Sequence, residues 1–110
     1  MAKVKFQYAG GVLIARLIGE IDHHSAEELR REIDARLDSC PVEHLCLDFG
    51  DVGFMDSSGV GLILGRERRM RSLQGRVTVA QPPAQIQKVL DIANIAYTKK
   101  EDELWKRSIR

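Results

Sequence analysis

The sequence predicts an α/β fold, with one domain over residues 1–110 built on a mixed, mostly parallel sheet of four to five strands and helices packed on it. A chain of 110 residues has the length of one compact domain, and 44% of its residues are hydrophobic, as in globular proteins. Apolar residues repeat with the period of strands or of helices, in the order strand, strand, helix, strand, helix, strand, helix. Strands joined through helices pair in parallel, because the helix returns the chain along the sheet.

The first two strands are predicted to form a hairpin. Val4, Phe6 and Tyr8 alternate with polar residues, as in an edge strand with one face in water. Gly10-Gly11 provides the turn, and residues 12–18 are nearly all apolar, which indicates a more central strand.

The first helix is predicted over residues 25–38. The Ser25 hydroxyl can cap a free backbone N–H, while the Glu28 side chain reaches back to the backbone N–H of Ser25. Cys40-Pro41 should end the helix, because a proline disfavours helical geometry in the residue before it. The apolar positions lie at helical spacing and are Ala26, Leu29, Ile33 and Leu37.

The third strand is indicated by the alternation of Leu45, Leu47 and Phe49, and residues 50–55 are predicted to form a connecting loop. A second helix should begin in the run Asp56-Ser57-Ser58-Gly59, whose side chains suit a helix start, and end before Gln74-Gly75. Its buried stripe is predicted to contain Val60, Ile63, Leu64 and Met70.

The last predicted elements are a strand that contains Val77 and Val79 and a helix that begins at Pro82-Pro83. The mixed-charge tail over residues 99–110 is compatible with one further short helix. The apolar residues of the third helix are Ile86, Val89, Leu90 and Ala93, and those of the tail are Leu104, Trp105 and Ile109.

Charge, cysteine usage and hydropathy exclude several classes of function. The net charge of +1 gives no overall attraction to nucleic acid or anionic lipid, so we expect no direct nucleic-acid partner and no membrane partner. Cys40 and Cys46 match neither a CxxC redox motif nor a zinc site, and buried free thiols in a reducing compartment are expected instead. We recognise no signal peptide and no apolar run of about 20 residues, which predicts a cytoplasmic protein.

An enzyme active site is not indicated either. Ser58 lacks the Gly-x-Ser-x-Gly frame of a nucleophile elbow, because Asp56 and Val60 occupy the glycine positions, and no spacing brings a histidine to it. The glycines at 59, 61 and 65 fit neither the dinucleotide nor the P-loop spacing. The pair His23-His24 and the carboxylate clusters lack partners for metal binding or acid–base catalysis. We therefore predict no catalytic residue, no cofactor and no metal.

Two features of the second helix allow two interpretations each. Gly61 and Gly65 either leave a smooth patch for another surface or let the helix pack closely on its own sheet. The cluster of Arg66, Arg68, Arg69 and Arg71 is predicted to be a solvated face, and contact between Arg66 and an acidic protein partner is the alternative.

Two longer runs resemble a known family. Residues 54–66 read FMDSSGVGLILGR, and residues 19–29 read GEIDHHSAEEL. Together they resemble the STAS-domain anti-sigma factor antagonists, in particular the antagonists of the anti-sigma F factor in sporulation. The resemblance extends from Val4 to about Tyr97, and the order of strands and helices agrees with it.

This resemblance implies a regulatory binding protein that is not an enzyme. Unphosphorylated, it would bind an anti-sigma factor with serine kinase activity that carries ATP or ADP, and so release the sigma factor. Ser58 would accept the phosphate, which switches binding off, and a serine phosphatase would remove it. The motif selects Ser58 over Ser57, which composition does not distinguish. The residues implied in partner binding are Asp22, Asp56, Ser57, Gly59, Gly61 and Arg66.

A STAS domain of another pathway, such as general stress regulation or lipid transport, is the alternative that keeps this fold. The runs HHSAE over residues 23–27 and Gly65-Arg66 favour the sporulation group. A phosphate at the start of the second helix is also physically reasonable, because free backbone N–H groups and the positive end of the helix dipole face it.

Overall fold

A computed structural model describes residues 1–99 of the chain and contains seven elements in that range. They are β1 (Ala2–Ala9), β2 (Val12–Ile21), α1 (His23–Ser39), β3 (His44–Met55), α2 (Ser57–Ser72), β4 (Arg76–Ala80) and α3 (Ala84–Ile92). The short helix predicted in the tail lies outside the described residues.

The four strands form one sheet in the order β1-β2-β3-β4. β1 pairs antiparallel with β2, whereas β2, β3 and β4 pair in parallel. A single bridge joins Ala80 at the end of β4 to Thr98. The predicted α/β class, the mixed and mostly parallel sheet, and the edge position of the first strand are confirmed.

The main core lies between one face of the sheet and the helices. Alternate residues of β2 and β3, such as Leu13 and Leu47, point to this face and are fully buried. Val12 and Ile14 belong to a smaller cluster with Cys46 and Ala80, as expected for the opposite face of the same strands. The helix residues of the main core are Ala26, Leu29, Ile33, Leu37, Leu62, Ile63, Met70, Ile86 and Leu90.

The loop predicted over residues 50–55 is wrong, because β3 continues to Met55. The pairing of β2 with β3 shifts register twice, between Arg16 and Ile18 and between Gly19 and Glu20, so that Ile21 lies beside Met55. These irregularities allow β2 and β3 to stay paired past the point where the alternation of apolar residues in β3 breaks off. As a result, β2 and β3 end side by side, directly before α1 and α2.

The start of α1 also differs from the prediction. Asp22, not Ser25, is the N-cap, and the helix begins at His23. The Asp22 carboxylate accepts a hydrogen bond from the Ser25 N–H at 2.9 Å, and the Ser25 hydroxyl accepts one from the Asp22 N–H at 2.9 Å. This reciprocal capping box gives Ser25 the role that the sequence suggested for Glu28.

The buried stripe of α2 is displaced from the predicted one. Ile63 and Met70 are fully buried as predicted, but Leu64 is 43% exposed and Leu62 takes a core position instead. The stripe consists of Gly59, Leu62, Ile63, Arg66 and Met70, so one of its positions is an arginine.

The two cysteines differ in environment. Cys46 is fully buried in β3, and burial raises the pKa of its thiol to about 12, which leaves it protonated and unreactive. Cys40 at the end of α1 is only partly buried, so the prediction of two buried thiols is wrong for Cys40.

In the part of the chain that the structure describes, no helix is long and apolar enough to cross a bilayer.

Candidate functional site

The starts of α1 and α2 lie together at the carboxyl ends of the parallel strands β2 and β3. Both helices directly follow parallel, adjacent strands, and each has an aspartate as its N-cap, Asp22 for α1 and Asp56 for α2. The Asp56 N–H donates to the Ile21 carbonyl at 3.2 Å and so connects the two helix starts. The hydrogen bonds from the backbone and side chain of Ser25 hold the pKa of the exposed Asp22 carboxyl below its usual value.

The serine turn at the start of α2 presents two hydroxyl groups. The Asp56 carboxylate accepts a hydrogen bond from the Ser58 N–H at 2.8 Å, which fixes the backbone of the turn. Ser57 is exposed and Ser58 is partly exposed. Within residues 1–99 neither hydroxyl makes a hydrogen bond, so each remains available to an incoming group.

The cap at Asp56 can be tested directly. Asp56→Ala is expected to lower the free energy of unfolding by about 1 kcal/mol, because the N–H of Ser58 loses its acceptor. Urea unfolding is the measurement. Ser57→Ala is the matched control, since it removes an exposed polar side chain that makes no hydrogen bond among the described residues. Equal losses in the two variants would contradict this role of Asp56.

Gly59 lies beneath the turn and not on its surface. It is buried, and a Cβ atom added there would overlap the Met55 side chain at the end of β3. Only glycine therefore lets the turn approach the sheet this closely.

An open groove runs between α1 and α2 beside Ser58, and we call it the α1–α2 groove. It measures about 380 Å³. A Cβ atom added to Gly61 or Gly65 would meet nothing within 4 Å, so these glycines widen the groove. Close packing of the two glycines on the sheet is therefore excluded. The groove is lined by His23, Ala26, Glu27 and Arg30 from α1 and by Ser58, Gly61, Leu62, Gly65, Arg66 and Arg68 from α2.

Arg66 is buried, so the predicted solvated arginine face is wrong at this position. The residue is 6% exposed, and its Nε lies 3.1 Å from Asp34 Oδ1 on α1. This contact is an ion pair without a hydrogen bond, and Arg66 Nη1 also has no hydrogen-bond partner in residues 1–99. Arg69 Nη1 lies 3.4 Å from the same carboxylate oxygen and Arg69 also pairs with Asp38. Burial lowers the pKa of Arg66, although an arginine stays charged in a protein.

The residues expected to bind a partner differ in exposure. Asp22, Ser57 and Gly61 are exposed and Asp56 is partly exposed, all near the helix starts. Gly59 and Arg66 are buried, so in this conformation they affect the surface only by positioning the residues that form it. A contact between a partner and any of the six stays a prediction.

Sequence reasoning did not single out Arg30 and Asp34. They follow Ala26 at intervals of four residues on α1, and this helical spacing places all three on the side that faces α2. That spacing was the only available signal, because neither residue type indicates a groove by itself.

No catalytic or metal-binding arrangement accompanies Ser58 in the described residues. His23 lines the same groove, but no hydrogen bond joins it to Ser58 within residues 1–99. In that range, His, Cys, Asp and Glu side chains form no group of three that could hold a metal ion.

Comparisons with known proteins agree with this fold. The anti-sigma F factor antagonist of Paenibacillus polymyxa is 33% identical over 93 residues, which cover 84% of this chain and 80% of that protein. The solved structure of the anti-sigma factor antagonist SpoIIAA in its unphosphorylated form superposes with a TM-score of 0.82 at 30% identity and covers 96% of both chains. SpoIIAA from Bacillus in its phosphorylated form gives a TM-score of 0.74 at 30% identity, with 96% of this chain and 99% of that chain covered.

The family assignment rests on the whole described fold and not on the serine turn alone. The sequence model of the STAS domain matches residues 3–99, which include every strand and helix of the described fold except the first residue of β1, and the groove beside Ser58. The two runs that resembled this family form the starts of α1 and α2, which lie side by side. The chain belongs to the STAS domain family.

Proposed function

We propose that this protein is an anti-sigma factor antagonist controlled by phosphorylation of Ser58. In its unphosphorylated form it binds an anti-sigma factor that has serine kinase activity and carries ATP or ADP, and the sigma factor is released. The kinase transfers a phosphoryl group from ATP to the Ser58 oxygen, which ends binding, and a serine phosphatase hydrolyses the phosphate. The protein itself contributes no catalytic residue.

One observation carries this proposal. Ser58 lies at the start of a 16-residue helix with its backbone fixed by Asp56 and its hydroxyl without a hydrogen-bond partner among residues 1–99. A kinase needs an accessible hydroxyl, and the positive end of the helix dipole tolerates the charge that the phosphate adds. The similarity to SpoIIAA, solved in unphosphorylated and phosphorylated forms, supports the same switch here.

The test is phosphate mapping after incubation with the anti-sigma factor kinase and ATP. We expect one phosphate per chain, at Ser58, identified by peptide mass spectrometry. Ser58→Ala should abolish incorporation, and Ser57→Ala should leave it unchanged, because the two variants remove neighbouring hydroxyls of the same turn. Incorporation at Ser57 or at Ser25 in the wild-type protein would overturn the assignment.

An ATP-dependent capture experiment separates the proposal from a STAS domain of another pathway. The immobilised protein should retain a nucleotide-binding kinase from a lysate of its own cells when nucleotide is present. Capture that does not depend on nucleotide would count against the anti-sigma factor kinase as partner.

A further inference from the structure

The lining of the α1–α2 groove, to which Ser58 belongs, carries more positive than negative charge. Three arginines line it against a single carboxylate, that of Glu27. The buried Arg66 adds an Nη1 atom that lacks a hydrogen-bond partner in residues 1–99, so the arginine charge is only partly neutralised there. A groove of this composition favours an anion.

Arg30 is the arginine best placed to meet a group attached to Ser58. It belongs to α1, on the opposite wall of the groove. Measured from the adjacent helix starts at 1.5 Å per residue, Arg30 lies about 11 Å along α1, whereas Arg66 and Arg68 lie about 14 and 17 Å along α2. The Arg30 guanidinium is shared between Glu27 at 2.7 Å and Asp34 at 3.8 Å. Its side chain is 45% exposed and can turn without disturbing the core.

We propose that a phosphate group on Ser58 is held in the α1–α2 groove by Arg30, which exchanges its contact with Glu27 for the phosphate. This inference rests on the proposed function, because it requires Ser58 to carry the phosphate. A phosphate with about −1.5 to −2 charges and three acceptor oxygens attracts a guanidinium more strongly than a single carboxylate does. The resulting bridge spans the groove near Gly61 and closes space that a partner could otherwise use.

The experiment places phosphoserine at position 58 during translation, so that no kinase is needed. Titration followed by phosphorus NMR gives the second pKa of the phosphate, which is about 6 without a partner. Arg30→Gln is expected to raise the proton affinity of the phosphate at least about threefold, because the dianion loses its cation. The other charged or titratable groups around the groove and the serine turn stay the same in both proteins, namely Asp22, His23, Glu27, Asp34, Asp56, Arg66 and Arg68.

Arg31→Gln is the matched control. Arg31 is the next residue on α1 and lies 3.9 Å from Glu27, but it does not line the groove, so its loss should leave the phosphate pKa unchanged. Amide spectra of both variants verify that the fold is intact.

Three results would overturn the proposal. They are an unchanged phosphate pKa in Arg30→Gln, equal shifts in Arg30→Gln and Arg31→Gln, and a larger shift in Arg68→Gln than in Arg30→Gln. The titration does not depend on any kinase, so its failure leaves Ser58 as the proposed acceptor. Conversely, if phosphate mapping failed, the titration would still report how the groove binds a phosphate placed at position 58.

Discussion

A phosphate on Ser58 is expected to weaken binding of the anti-sigma factor about 100-fold, which corresponds to about 2.8 kcal/mol. Overall repulsion is too small to produce this change, because the net charge falls only from +1 to about −0.5 to −1. The effect is local. An interface that covers Ser58 would have to remove water from a dianion next to the Asp56 carboxylate, and this desolvation costs several kcal/mol even with Arg30 on one side of the phosphate.

Calorimetric titration of the anti-sigma factor with the wild-type protein, the phosphoprotein and variants measures this effect. Ser58→Ala should bind as the unphosphorylated protein does and should not be released by the kinase. Ser58→Glu should bind about tenfold or more weakly, since it adds one negative charge at the same position. Ser72→Glu is the matched control, because it adds the same charge to an exposed serine at the far end of α2, away from the groove and from the residues expected to bind the partner.

The comparison at physiological salt is the decisive one. Equal affinity of the phosphoprotein and of Ser58→Ala would show that the charge on Ser58 does not control binding. An equal loss of affinity in Ser72→Glu and Ser58→Glu would show that the added charge acts without regard to position.

The order of strands and helices could be predicted from sequence because each core element repeats its apolar residues with its own period. Strand β3 shows the limit of prediction from apolar periodicity. Gly50, Asp51 and Gly53 interrupt the alternation, so residues 50–55 look like a loop, yet pairing with β2 holds them in the sheet. The Arg16 side chain lies 2.6 Å from Asp51 across these strands, an ion pair that no local pattern reveals.

The serine turn was predictable for a related reason. Capping depends on residues within one helical turn, so the run of Asp56 to Gly59 indicated a helix start on its own. The groove beside Ser58 depends instead on how α1 and α2 lie side by side. Hydrophobic periodicity also assumes that buried positions are apolar, and Arg66 violates this because its partner Asp34 stands on another helix.

Replacing Asp34 by alanine is expected to lower the free energy of unfolding by about 2 to 4 kcal/mol, because it leaves the Arg66 guanidinium buried without its carboxylate. Arg66 is 6% exposed and cannot regain its hydration without moving. The Asp34 side chain is 21% exposed, which places the expected loss below the upper end of the range for fully buried pairs. The measurement is urea unfolding, with one common slope of unfolding free energy against urea concentration fitted to all variants.

The double variant Asp34→Ala with Arg66→Met shows whether the unpaired charge of Arg66 causes the loss of stability. Methionine has a similar length and no charge, so it should restore most of the stability lost in Asp34→Ala. Asp38→Ala is the matched control, because its side chain is 68% exposed where it pairs with Arg69, and such pairs contribute at most about 1 kcal/mol. Equal losses for Asp34→Ala and Asp38→Ala, or no recovery in the double variant, would mean that the Asp34–Arg66 pair does not hold α2 against α1. The expected pattern would instead make Arg66 the residue that fixes one wall of the groove beside Ser58.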